Sequence, residues 1–126
     1  MVIHIEKHPL FERNGLDVVC EVPLPFITAV LGGKIEIPTL EGRKEVKIPQ
    51  GTWSGKQIKL SGKGIRSAHD NRRGDFIVQL RVEMPGKLSR TDKMLLREFA
   101  DQHSAEAYPA VKKFVRAMNS RYPSKQ

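Results

Sequence analysis

DVVCEVPLPFITAVLGGKIEIPTLEGR, residues 17–43, is the stretch that sets the architecture. Its first eight residues alternate, which places Val18, Cys20, Val22 and Leu24 on one face of a predicted strand over 17–24. Pro23 has no N–H to give a ladder, so the strand ends there or lies at a sheet edge. Residues 25–31 (PFITAVL) then read as one or two helical turns. Pro25 suits the first helical position and Gly32 the stop. Alternation returns over 34–38, with Ile35 and Ile37 facing inward.

Downstream, short strands follow at close spacing, over 44–48 with Val46 and Ile48 inward and over 56–60 with Ile58 and Leu60 inward. Glu41-Gly42 predicts a tight hairpin between 34–38 and 44–48. Residues 61–74 are rich in Gly, Ser, Asn, Asp and Arg and read as an exposed loop. The longest predicted strand is 75–84, with Phe76, Val78, Leu80, Val82 and Met84 on one face and Ile77, Gln79, Arg81 and Glu83 on the other. Upstream, residues 2–7 (VIHIEK) alternate, with Ile3 and Ile5 on one side. His8-Pro9 and Asn14-Gly15 are turn signals around a loop.

After Pro85-Gly86 the apolar period changes from 2 to 3.6. Ser89 is a good N-cap, and Asp92 completes a pattern like a capping box. Leu95 and Phe99 follow at helical spacing, and this helix is expected to end near His103. A second helix begins near Pro109. Val111, Phe114, Val115 and Met118 form its apolar stripe, opposite Lys112, Lys113 and Arg116. The expected fold is mainly β: a small β-sandwich with one short internal helix and two C-terminal helices. The expected division is a sandwich over 1–88 and helices over 89–126.

Bulk properties narrow the function. Cys20 is the single cysteine, so no internal disulfide forms, and its alternating apolar setting reads as a small buried hydrophobe. No stretch approaches the ~20 apolar residues of a membrane span. The start, MVIHIEKHP, lacks the basic-then-apolar order of a secretory signal. A cytoplasmic location with no membrane partner is expected. Net charge is +8, but acids interrupt most segments, so a solvated basic surface explains it better than a nucleic-acid site. Four of the eight aromatics are Phe at apolar-periodic positions, which leaves few to stack on bases.

Candidate chemistry fails on spacing. GTWSGKQ (51–57) has three residues between its glycines where a phosphate loop needs four, and Gln57 stands where Ser or Thr would hold the metal. His4 and His8 are four apart on a predicted strand-to-turn, where such side chains do not converge. One cysteine cannot build a structural zinc set. No catalytic constellation, metal site or cofactor is expected.

The ordered set of pieces resembles a family. HPLFERNG (8–15) is similar to the His-Pro-x-Phe-x-Arg-x-Gly signature that opens the second C-terminal β-domain of DnaJ co-chaperones. The 17–43 stretch continues that pattern through Leu-Gly-Gly and Thr-Leu-x-Gly. GTWSGKQIKLSGKGI (51–65), RRGDFIVQLRVEMP (72–85) and LSRTDKMLLREFA (88–100) complete it, so the resemblance runs from about residue 2 to 118. The J domain, with its His-Pro-Asp tripeptide, has no counterpart, since Leu10 follows His8-Pro9. The Gly/Phe linker, the zinc-binding cysteine repeats and the first C-terminal domain have none either. The sequence is therefore expected to be a piece of a longer protein, with zinc and the contact to a DnaK-type chaperone belonging to the other parts.

What the resemblance implies is a non-catalytic module that holds unfolded polypeptide and forms a homodimer. Val22, Ile35, Ile37, Val46 and Ile48 are candidates to line a client groove, the alternative being that all five are sandwich core. Val111, Phe114, Val115 and Met118 are candidates for the dimer contact, the alternative being a helix folded back on its own sandwich. A purely structural dimerisation unit without client affinity is the competing function. A basic nucleic-acid-binding domain is a third, and it would show strong salt dependence.

Overall fold

A computed structural model describes residues 8–103 and 105–123. The predicted strand over 2–7 lies outside the described residues. The chain divides into two units, meeting between Pro85 and Gly86.

The first unit is a sandwich of two sheets. Strands β1 (Phe11–Asn14), β2 (Asp17–Pro25), β5 (Gln57–Leu60) and β6 (Phe76–Glu83) form one sheet in the order β1-β2-β6-β5. Strands β3 (Gly33–Thr39) and β4 (Gly42–Ile48) form the other. Helix α1 (Phe26–Leu31) links the sheets, with Pro25 as its N-cap rather than its first residue. The alternation of β2 and β6 works as the sequence implies. Val18, Leu24, Phe76, Val78 and Leu80 are fully buried, and Cys20 nearly so. They meet Ile37, Val46 and Ile48 from the facing hairpin in one apolar core. Met84, predicted on the same face, is exposed because β6 has already ended at Glu83.

β2 and β6 pair in parallel, Val18 beside Phe76 through Pro25 beside Glu83, although most of the unit's chain separates them. Pro23 is tolerated inside β2 even though that strand has neighbours on both sides. β1 begins at Phe11, opposite Cys20, so among the described residues β1 has no rung at Pro23.

Three local expectations change. Residues 11–14, read as loop, form β1. Phe11 is its only apolar residue, so no alternation announces it, but its ring packs edge-on against Phe76 at 5.4 Å. The β3–β4 turn is Leu40-Glu41, one residue earlier than Glu41-Gly42, because Thr39 pairs with Gly42. The base of the 61–74 loop is buried rather than exposed. Gly64 N–H donates to the Gly74 carbonyl at 2.8 Å, and Ile65 N–H donates to the Leu16 carbonyl at 2.8 Å. Gly64 and Gly74 are buried where backbone meets backbone. A Cβ on Gly74 would sit 2.0 Å from the Leu16 carbonyl oxygen.

A polar clasp closes this loop onto the hairpin tip. Arg73 donates from Nε to the Gly64 carbonyl at 3.0 Å and from its guanidinium to Glu41 Oε1 at 2.9 Å. Lys63 lies 3.7 Å from the other Glu41 oxygen. The Arg73 hydrogen bond and the Lys63 charge hold the Glu41 carboxyl below its ordinary range. The Gly62 N–H, then Lys59, does the same for Asp75. A depressed carboxyl stabilises the fold above its unfolded value, and that contribution is lost as pH falls through the folded value. Urea unfolding should therefore separate Glu41→Gln from the parent at pH 7. The difference should vanish in acid, well below about pH 4, where the unfolded carboxyl protonates. A gap that persists in acid would show that Glu41 acts through packing alone.

The second unit holds α2 (Arg90–Asp101), a short 3-10 turn at Ala105–Ala107 and α3 (Pro109–Arg121). Ser89 Oγ accepts from the Asp92 N–H, and the Asp92 carboxylate accepts from the Ser89 N–H, giving the capping box. The helix ends at Asp101, two residues short of His103. His103 stacks on Phe99 and donates from Nδ1 to its carbonyl at 2.8 Å, closing the last turn.

Candidate functional site

Two kinds of surface emerge, one in each unit. In the first unit, β3 is a seven-residue strand that pairs only with β4 among the described residues, which leaves one edge of its main-chain groups unpaired. The outer face of this hairpin is polar, with Lys34–Glu45 and Arg43–Glu36 ion pairs at 3.5 and 3.6 Å. Its inner face is apolar. The five groove candidates, four on this hairpin and Val22 on β2, divide by burial. Ile37, Val46 and Ile48 are buried in the core, whereas Val22 and Ile35 are half-buried and pack against it from its margin. The first three cannot meet a ligand without opening the sandwich.

A second apolar surface was missed by sequence reasoning. Helix α1 is apolar at every position but Thr28, and six residues cannot bury all sides of a helix. Only Ala29 is buried, leaving Ile27, Val30 and Leu31 exposed. The β4–β5 connection docks on its last turn through Gly51 N–H to the Val30 carbonyl and Thr52 N–H to the Ala29 carbonyl. That contact brings in Trp53, which is 64% exposed with the Lys56 ammonium 5.1 Å from its ring centre. The signal was present in FITAVL, an apolar run too short to hide itself.

In the second unit no helical residue is buried. The four dimer candidates are brought onto one stripe of α3, and Phe114 is 67% exposed. Met94, Leu95, Leu96 and Phe99 give α2 an exposed apolar face of its own.

Cys20 is buried in the core, and burial pushes its thiol pKa up, the reverse of an activated thiolate. Among the described residues no three of His, Cys, Asp or Glu gather as metal ligands. No helix among them is long and apolar enough to cross a membrane.

The comparisons with known proteins fit this arrangement. Residues 1–85, the whole sandwich unit, match the DnaJ C terminal domain. The chain belongs to the DnaJ C-terminal domain family. It is 43% identical over 116 residues to the Chaperone protein DnaJ of Fusobacterium nucleatum, a match covering 92% of the chain and 30% of that relative. It is 48% identical over 107 residues to the Chaperone protein DnaJ of Burkholderia mallei, covering 85% and 28%. With the Chaperone protein DnaJ of Caldicellulosiruptor bescii it shares 46% over 112 residues, covering 89% and 29%. The chain thus spans about three-tenths of the length of these relatives. Within this co-chaperone family it is a non-catalytic module.

Proposed function

We propose that the chain is the part of a cytoplasmic DnaJ-type co-chaperone that holds unfolded polypeptide and pairs with a second copy, in support of a DnaK-type chaperone. The observation that carries client binding is the unpaired edge of β3 in a unit whose core margin holds half-buried Val22 and Ile35. An extended peptide added to such an edge gains main-chain hydrogen bonds, while alternate side chains reach apolar positions. The exposed apolar surface of Ile27, Val30, Leu31 and Trp53 extends the area open to a client. Pairing rests on α3, whose stripe is too exposed to stabilise an isolated helix of 13 residues in water.

A titration with a permanently unfolded, reduced and alkylated polypeptide tests the client reading. Ile35→Ser should leave the unit folded and weaken binding by about tenfold, the worth of a partly buried apolar side chain. Ile48→Ser should instead unfold the unit, since Ile48 is 1% exposed in the core. A folded Ile35→Ser variant that binds the client as tightly as the parent would refute the β3 site. The second reading is a purely structural dimerisation unit, favoured by the core placement of Ile37, Val46 and Ile48. It requires that no client binds at all.

A further inference from the structure

The charge on α3 is not explained by a second copy. The helix carries Lys112, Lys113, Arg116 and Arg121 and no acid, so its +4 is half of the formal +8 of the whole chain. Helix α2 is equally exposed but balanced, with Arg90, Lys93 and Arg97 against Asp92, Glu98 and Asp101. Excess charge is therefore a property of α3 and not of the unit. A second copy seated on the apolar stripe would leave Lys112, Lys113 and Arg116, on the opposite face, without a counterpart. Among the described residues Lys112 pairs with Glu106 in the preceding turn.

The remaining features of α3 point one way. Val111, Phe114, Val115, Met118 and Tyr122 recur at helical spacing, and all are exposed. Lys112, Lys113 and Arg116 occupy the opposite face. Tyr108 and Tyr122 bracket the helix at its two caps, each with its ring in solvent. Cations on one face, an apolar stripe on the other and aromatic residues at the ends describe a helix that lies in a lipid–water interface. Thirteen residues extend about 20 Å, too short to span the hydrocarbon core but suited to lying flat on it.

We propose that α3 in its unpaired form binds the surface of an anionic lipid bilayer, with its stripe in the acyl boundary and its cations among the headgroups. The expectation of no membrane partner rested on the lack of a spanning segment, and this contact is peripheral. The same stripe serves both occupants, so lipid and second copy exclude one another. The proposal does not require the dimer, since it uses the helix of a single chain.

Sedimentation of the full chain with vesicles tests it. The chain should bind vesicles of phosphatidylglycerol and phosphatidylcholine in equal parts, and not vesicles of phosphatidylcholine alone. Binding should fall steeply toward about 0.5 M salt, as surface charges are screened. Replacing Lys112, Lys113 and Arg116 together by Gln should weaken it about a hundredfold, at roughly fivefold for each cation near an anionic surface. Phe114→Ser should weaken it about tenfold. Circular dichroism would show that the variants keep their helix, and light scattering without vesicles reads self-association separately. A monomer that binds anionic vesicles supports the proposal while removing the dimer. No binding, equal binding to both vesicles, or binding indifferent to the Gln substitutions would overturn it. So would binding to a single-stranded oligonucleotide, unaffected by Phe114→Ser, in a chain that ignores vesicles, since α3 would then be a nucleic-acid contact.

Discussion

Gly74→Ala should cost the sandwich unit about 3 kcal/mol or more, because the added methyl overlaps main chain and not a movable side chain. It would meet the Leu16 carbonyl oxygen at 2.0 Å, its carbon at 2.3 Å and the Asp17 nitrogen at 2.8 Å. Those atoms lie in the β1–β2 hairpin, which is held in place on both sides. Val18 N–H donates to the Asp75 carbonyl, and Asp75 N–H donates to the Asp17 carboxylate at 2.8 Å. Relief would mean breaking the entry into the parallel β2–β6 ladder. At about 4–8 °C per kcal/mol for a unit of this size, the melting midpoint should fall by more than about 12 °C. Gly86→Ala is the control. Nothing lies within 4 Å of the position of its Cβ, so its midpoint should stay within a degree or two of the parent. Equal melting of Gly74→Ala and the parent would mean that the hairpin yields, and that the close approach is not needed.

Phe114→Ala should convert the chain from dimer to monomer at tens of micromolar. Burying Val111, Phe114, Val115 and Met118 contributes roughly 6–12 kcal/mol gross per protomer, at about 1.5–3 kcal/mol for each side chain. Association costs on the order of 4–15 kcal/mol, and a two-fold contact counts the stripe twice against a single such cost. The surplus is modest. Phe114 is the largest side chain of the stripe and lies mid-helix. Its truncation removes about 3 kcal/mol or more in each protomer if pairing buries it fully. Two such losses raise the dissociation constant by roughly ten-thousandfold. Analytical ultracentrifugation reads the result directly. A monomeric parent would refute the dimer, and a dimer that survives deletion of residues 107–126 would place the contact elsewhere.

Sequence periodicity revealed most strands because their two faces see different surroundings. Val18, Cys20 and Leu24 alternate with polar or half-buried neighbours, and each is buried as the pattern requires. Ser89 and Asp92 announced α2 because their capping chemistry is local. What stayed hidden depended on distant chain. β1 has no alternation, and Phe11 packs edge-on against Phe76, which lies far along the chain. Gly64 and Gly74 looked like loop composition, but the Leu16 carbonyl between them makes them necessary. The groove candidates were chosen by residue type, which is nearly the same for Ile35 and Ile37. The folded unit separates them, with Ile37 buried and Ile35 half-buried. Trp53 falls within a failed phosphate-loop spacing, whereas its neighbours Gly51 and Thr52 dock on a helix more than twenty positions earlier.

The parallel pairing of β2 with β6 also sets the order in which the unit can be born. Asp17 and Asp75 meet at the start of that ladder, 58 positions apart. During synthesis at about 5–20 residues per second, β2 waits roughly 3–12 s for its central neighbour. Through that interval Val18, Cys20 and Leu24 lack the strand that covers them. A nascent chain stopped before residue 76 lacks β6, the strand that joins β2 to β5. This member of the DnaJ C-terminal domain family thus passes through a stage in which its own central strand lacks a neighbour.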